Sequence, residues 1–151
     1  MADTKAQSEA EFWIRRTALP NLYGQSFTKR SLHLTSGGEF SFDAVSDDGK
    51  IVAVISTSAG KTASGNPATA KLLKMHSDAY WFFLLDHQPE RKIFVFTDQS
   101  MIDLLQDEKK KGRFPKEFEL LKIPLPPELA AKVAESQKVA SEEVSPKKNQ
   151  N

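Results

Sequence analysis

The chain has 151 residues and a mass of 16.9 kDa, the size of one ordinary domain. Its 39% hydrophobic and 27% charged residues suffice for a buried core and exclude a wholly disordered chain. Twenty-one basic and twenty acidic residues leave a net charge of +1, with no cysteine, which excludes a strongly basic packaging protein, a disulfide framework and Cys-ligated zinc or iron–sulfur chemistry. No apolar run approaches the roughly 20 residues that cross a bilayer, and Met1-Ala2-Asp3-Thr4-Lys5 lacks the apolar stretch of a signal peptide. A soluble, cytoplasmic protein without membrane association is expected.

Residues up to Ser8 read as frayed. Glu9 to Leu19, with Phe12, Trp13 and Ile14 among charged neighbours, reads as a helix that Pro20 stops. Ser8 with Glu11 three positions on has the form of a capping box. From Phe27 to Ser58 the pattern becomes β. Ser31–Thr35 alternates, Ser36-Gly37-Gly38 turns, and Phe40–Val45 alternates again. Asp47-Asp48-Gly49-Lys50 is a hairpin signal, because Asp-Gly supplies the positive φ of tight turns. Ile51–Ile55 is a continuous β-branched run, the signature of a central strand covered on both faces. A three-stranded antiparallel meander follows from these segments.

Ser56–Gly65 is small and polar, a loop. Asn66-Pro67 predicts a helix start, with the helix over Ala68–His76 and Asp78 near its end. The aromatic run Ala79–Leu85 favours a strand turning at Asp86–Glu90 into a partner at Arg91–Thr97. Asp98 or Ser100 caps a helix from about Met101 to Lys111, and Gly112 ends it. Glu119–Ile123 reads as a short edge strand broken by the following prolines, and Glu128 to about Val139 as a peripheral helix. Ser141–Asn151 reads as a disordered polar tail. The expected division is one domain over 1–127, with the peripheral helix and tail in 128–151. The class is mixed α/β (α+β), an α/β/α sandwich in the order helix, three-strand meander, helix, two strands, helix.

Several enzyme signatures fail on spacing. Gly60-Lys61-Thr62 imitates a phosphate loop, but the required earlier glycine is Ile55. His33, His76 and His87 have no metal-ligand spacing, and there is no Gly-x-Ser-x-Gly elbow. A gap in negative charge is more informative. Lys50, Lys61, Lys71 and Lys74 lie between Gly49 and Ser77 with no acid among them, about four positive charges on one loop and one helix. They either solvate an exposed face or meet a phosphate-bearing partner. Lys109–Lys111, Arg113 and Lys116 form a second basic cluster, partly explained by compensation of a helix C-terminus. Asp47 and Asp48 are turn formers. Asp43, amid Phe42, Ala44 and Val45, is not required by a turn and is either solvated or functional.

Phe42-Asp43-Ala44-Val45 and the stretch Gly49–Ser58 resemble the second and third strands of the PD-(D/E)XK, or restriction-endonuclease-like, superfamily. Asp78–Leu84 and Lys92–Phe96 resemble the two strands that follow the central helix there. The resemblance spans roughly Glu9 to Ile123 and implies a restriction-endonuclease-like α/β/α core with Asp43 as the metal-binding aspartate. The chain departs from the pattern where the family carries its second acid and its lysine, which are here Val54 and Ser56. Phosphodiester hydrolysis in that family needs carboxylates holding Mg²⁺ and a lysine beside the attacking water.

The resemblance therefore implies a nuclease-like domain with a degenerate site, non-catalytic or weakly active, binding nucleic acid or a partner protein. Asp43, Ser56, Lys61 and Glu11 mark the remnant or migrated site, with Lys61, Lys71 and Lys74 as phosphate contacts to DNA or RNA. The rival from the enzyme class is an active Mg²⁺-dependent nuclease using Glu11, Asp43 and a migrated Lys61 or Lys71. A third alternative is an assembly module, a homodimer for example, joined through a sheet edge or a Trp81-Phe82-Phe83 surface.

Overall fold

The computed structural model describes residues 5–144, with side chains over 5–139. The helices are α1 (Lys5–Trp13), α2 (Leu19–Tyr23), α3 (Thr69–Phe83), α4 (Gln99–Lys110) and α5 (Pro127–Val144). The strands are β1 (Phe27–His33), β2 (Glu39–Ser46), β3 (Ile51–Ser56), β4 (Arg91–Phe96) and β5 (Glu119–Lys122). Among the described residues they form one five-stranded sheet in the order β1-β2-β3-β4-β5. The first three strands are an antiparallel meander, whereas β4 runs parallel to β3 and β5 parallel to β4. The mixed α/β class is as expected.

Period-2 alternation in the strands sends side chains to two cores. Phe42, Val52, Val54, Phe94 and Phe96 pack with Met75, Phe82, Met101 and Leu105, from α3 and α4, on one face. Ala44, Ile51, Ala53, Ile93 and Val95 pack with Ile14 and Leu19 on the other. Both faces of β3 and β4 are thus covered, which is why these strands read as unbroken apolar runs. The Asp-Gly turn forms as expected, with Gly49 at φ 74° and its N–H donating to Ser46 O at 2.9 Å.

Three local expectations are corrected. Ala79–Leu85 is not a strand, because α3 continues to Phe83. The chain therefore alternates strand and helix after the meander, and Arg91–Phe96 is not a hairpin partner but β4, parallel to β3. Met75, Asp78, Ala79 and Phe82 are the buried residues of α3, spaced as one helical face, and this packing overrides the β preference of the aromatics. Asp78 is therefore not a helix end. Phe82 is fully buried and Trp81 stacks on Phe40 with ring centroids 4.8 Å apart, so Trp81-Phe82-Phe83 is not a continuous outer surface.

At the N-terminus, Ser8 lies inside α1 rather than capping it. Ala6 and Ala10 pack against Val133 of α5, and that packing carries the helix past the local cap signal. Pro20 does not stop the run either. A π segment at Ile14–Ala18 precedes it, with Leu19 N–H bonded to Ile14 O, and the widened turn lets the chain pass a residue that has no N–H. The helix ends instead at Gly24, in the left-handed region at φ 73°. Asn66-Pro67 lies just outside α3, whose N-cap is Ala68, and Pro67 bridges Lys61 in the preceding loop. Asp98 is the cap of α4, accepting from Ser100 N–H at 2.9 Å.

α5 runs antiparallel to α1, with Gln7 on Ser136 at 3.0 Å and Glu9 on Lys132 at 3.5 Å. It reaches Val144, so the first residues assigned to a disordered tail are helical. The rest of that tail, and residues 1–4, lie outside the described residues. Among those described, no helix is long and apolar enough to cross a membrane.

The loop after β3 is pinned to α4. Gly60 N–H donates to Ser100 Oγ at 2.8 Å, and a Cβ at Gly60 would stand 2.3 Å from the Ser100 carbonyl oxygen. Backbone cannot step aside as a flexible side chain does. Gly60→Ala is expected to cost about 1–3 kcal/mol, in the manner of other overpacked sites, measured as a lower midpoint in urea denaturation.

Candidate functional site

Two irregularities of backbone meet beside the carboxyl end of β3. The β1–β2 register shifts between Thr28–Val45 and Arg30–Phe42, so β2 carries one extra residue at Asp43-Ala44. This is a β-bulge, which bends a strand and re-aims its side chains. The π segment faces it and carries Arg15, whose Nη1 donates at 3.0 Å both to Glu11 Oε2 and to the Asp43 carbonyl oxygen. Bulges and π segments both tend to occur at functional sites.

The bulge leaves β2 and β3 paired at Ala44–Ala53 and Val45–Val52. Beyond that, Asp43 closes the gap with its side chain, Oδ2 accepting from Ile55 N–H at 2.7 Å. Asp43 thus lies against the carboxyl end of β3. Burial pushes its carboxyl up to about 6, against the opposing pull of the Ile55 N–H. Glu11 and Asp78 raise it further and Lys29 lowers it. A carboxyl placed there exchanges its proton near neutral pH, the property acid–base chemistry uses.

A cleft of about 220 Å³ opens next to this point, at the carboxyl ends of the parallel strands β3 and β4. Open α/β sheets bind their ligands at such ends. Gln7 and Glu11 of α1 form one wall. Val54, Ile55, Ser56, Thr57 and Ser58 form the floor, and Lys71, Lys74, Met75 and Asp78 of α3 the other wall. The spacing 71, 74, 75, 78 is one face of a helix. Gln137 of α5 donates to Thr57 O, fixing the loop at the rim.

Of the residues anticipated from sequence, Glu11, Ser56, Lys71 and Lys74 are therefore brought together, with Asp43 behind the floor. Lys61 is not among the lining residues; it is exposed in the loop bridged to Pro67. Val54 and Ser56 both line the cleft. Asp78 is one of two residues that sequence reasoning missed. It is 4% exposed and held by Lys74 Nζ at 3.1 and 3.2 Å; burial raises its carboxyl and Lys74 counters the rise. The Lys-x-x-x-Asp spacing, on the same face as Met75 and Phe82, was the available signal. Arg15 was missed as well, although Glu11-x-x-x-Arg15 has the same spacing.

The carboxylates are each turned to a protein donor: Glu11 to Arg15, with Lys29 at 3.9 Å, Asp43 to Ile55 N–H, and Asp78 to Lys74. Among the described residues no group of three or more His, Asp or Glu is placed to hold a metal ion. Mg²⁺ demands near-octahedral oxygen ligation at short range, and this donor set does not fit it. Lys71 differs from the other cations of the cleft, since among the described residues it has no ion-pair partner.

Comparison with known proteins identifies no relative: no family model, no curated protein and no solved structure matches the chain.

Proposed function

We propose that the cleft binds the phosphate backbone of nucleic acid without hydrolysing it, in a domain of restriction-endonuclease-like kind. One observation carries the reading: Lys71, a cation with no acidic partner among the described residues, lines the same cleft as three consecutive hydroxyl residues, Ser56, Thr57 and Ser58. An ammonium with adjacent O–H donors suits a phosphate oxygen. The acids beside it are held by Arg15, Lys29 and Lys74, so they repel an incoming anion less than free carboxylates would. The meander and the placement of Asp43 against Ile55 N–H support the likeness to that superfamily. The loss of its second acid and lysine at Val54 and Ser56 supports binding over cleavage.

Lys71→Ala is expected to weaken binding of a labelled oligonucleotide several-fold and to reduce the slope of log K against log salt by about one, measured by fluorescence anisotropy over a salt series. Binding that ignores salt, or ignores Lys71, overturns the reading. Mn²⁺-dependent cleavage abolished by Asp43→Ala would replace it with an active nuclease. No binding, together with a concentration-dependent dimer in sedimentation, would replace it with an assembly module.

A further inference from the structure

The surface beside the cleft contains an aromatic ring that the core does not use. Phe12 is 52% exposed and adjoins Glu11, which lines the cleft. The guanidinium of Arg16 lies 5.3 Å from its ring centroid and that of Arg15 5.9 Å. Lys29 reaches Glu11 from β1 at 3.9 Å, whereas Arg30, the next residue of that strand, points to the opposite face and donates to Ser46 O at 3.4 Å. A single exposed phenylalanine is ordinary on a soluble protein. This one lies under the guanidiniums of Arg15 and Arg16, and among the described residues Arg16 has no carboxylate partner.

Other exposed aromatics lack that company. Phe83 has Lys92 near its ring, but Lys92 is paired with Glu117 at 2.7 Å. Tyr80 packs edge-on against Trp81. An exposed ring flanked by a cation without an acidic partner can hold an unpaired base: the base stacks, and the cation takes a neighbouring phosphate. Stacking on a protein ring needs a base free of its own helix. The cleft, at about 220 Å³, is below the volume of an ordinary small-molecule pocket and admits a backbone phosphate rather than a double helix.

We infer that the ligand is single-stranded nucleic acid, with Phe12 as a base-stacking platform and Arg16 and Lys29 as its phosphate contacts on the approach to Lys71. This rests on the nucleic-acid reading above. The stack then adjoins the α1 wall of the cleft through Glu11, and Lys71 lies on the α3 wall. Arg16 leaves the ring face as a base takes it and turns to the adjoining phosphate.

The test is fluorescence anisotropy of the full chain with labelled oligo(dT), oligo(U) and a mixed-sequence duplex of equal length. Single strands are expected to bind at least ten-fold tighter than the duplex. Phe12→Ala is expected to lose roughly five-fold or more of single-strand affinity while leaving duplex affinity unchanged, and Phe12→Trp to restore it with quenching of the added indole. Circular dichroism of each variant checks that the helix is intact. The dT and U arms distinguish DNA from RNA. Equal or tighter duplex binding, or single-strand affinity indifferent to Phe12→Ala, overturns the inference and leaves the cleft proposal standing. Failure of all three oligonucleotides overturns both.

Discussion

Phe82→Ala is expected to cost about 3–5 kcal/mol, the range for truncating a fully buried phenylalanine, whereas Phe83→Ala costs under about 1 kcal/mol. Phe82 is fully buried, its ring centroid 4.9 Å from Phe42, 5.7 Å from Phe94 and 5.2 Å from Phe118. It therefore joins α3 to β2, β4 and the segment before β5, and its loss opens a cavity where rings from several elements meet. Phe83 is 48% exposed and touches chiefly Phe118. Urea denaturation of the two variants side by side measures the contrast. Similar losses at both positions would be incompatible with the helical course of this segment.

The second large effect is tied to pH. Asp43→Asn is expected to become progressively more stable than the parent chain as pH rises from about 4 to about 6, and to keep that advantage above. Asp43 titrates at about 6 in the folded chain against 3.8 ordinarily. Between those values the folded chain holds a proton that the unfolded chain has released, so stability contributed by Asp43 is fully present below about 4 and lost as pH climbs through about 6. At about 1.4 kcal/mol per pH unit, the ceiling is about 3 kcal/mol, reduced by whatever solvent reaches the half-buried group. The amide oxygen of asparagine still accepts the Ile55 N–H, so the variant removes the titration and keeps the contact. Denaturation midpoints of both chains at pH 4.5, 5.5 and 7 test this. A difference that does not change with pH would mean that the carboxyl is not held up by burial.

The parts of the fold legible in sequence are those set by neighbours in the chain. The Asp47–Lys50 turn, the β-branched run of β3 and the Asp98 cap each carry their cause within a few residues. The second half of α3 does not. Its aromatics favour a strand by propensity, and only the recurrence of Met75, Asp78, Ala79 and Phe82 at helical intervals, a pattern crossing the supposed boundary at Asp78, points the other way. The π segment and the bulge at Asp43 leave no local mark either, since each is a response to packing from elsewhere. The cleft was half legible. Glu11, Ser56, Lys71 and Lys74 were identifiable as candidates by type and position, but Asp78 was hidden by the misplaced helix end. Lys61 shared its loop with the site and was carried away from it by the pairing with Pro67.

The antiparallel pairing of α1 and α5 has a practical consequence. Gln7 on the first helix lines the cleft, and Gln137 on the last holds its rim through Thr57. Reporter groups attached on these helices near Gln7 or Gln137 would thus sit next to the mouth through which a ligand enters. A labelling scheme that spares it would attach the reporter in the Ser36-Gly37-Gly38 turn, which adjoins the end of α3, where Thr35 N–H donates to Leu84 O at 2.7 Å, several turns from Lys71 and Lys74.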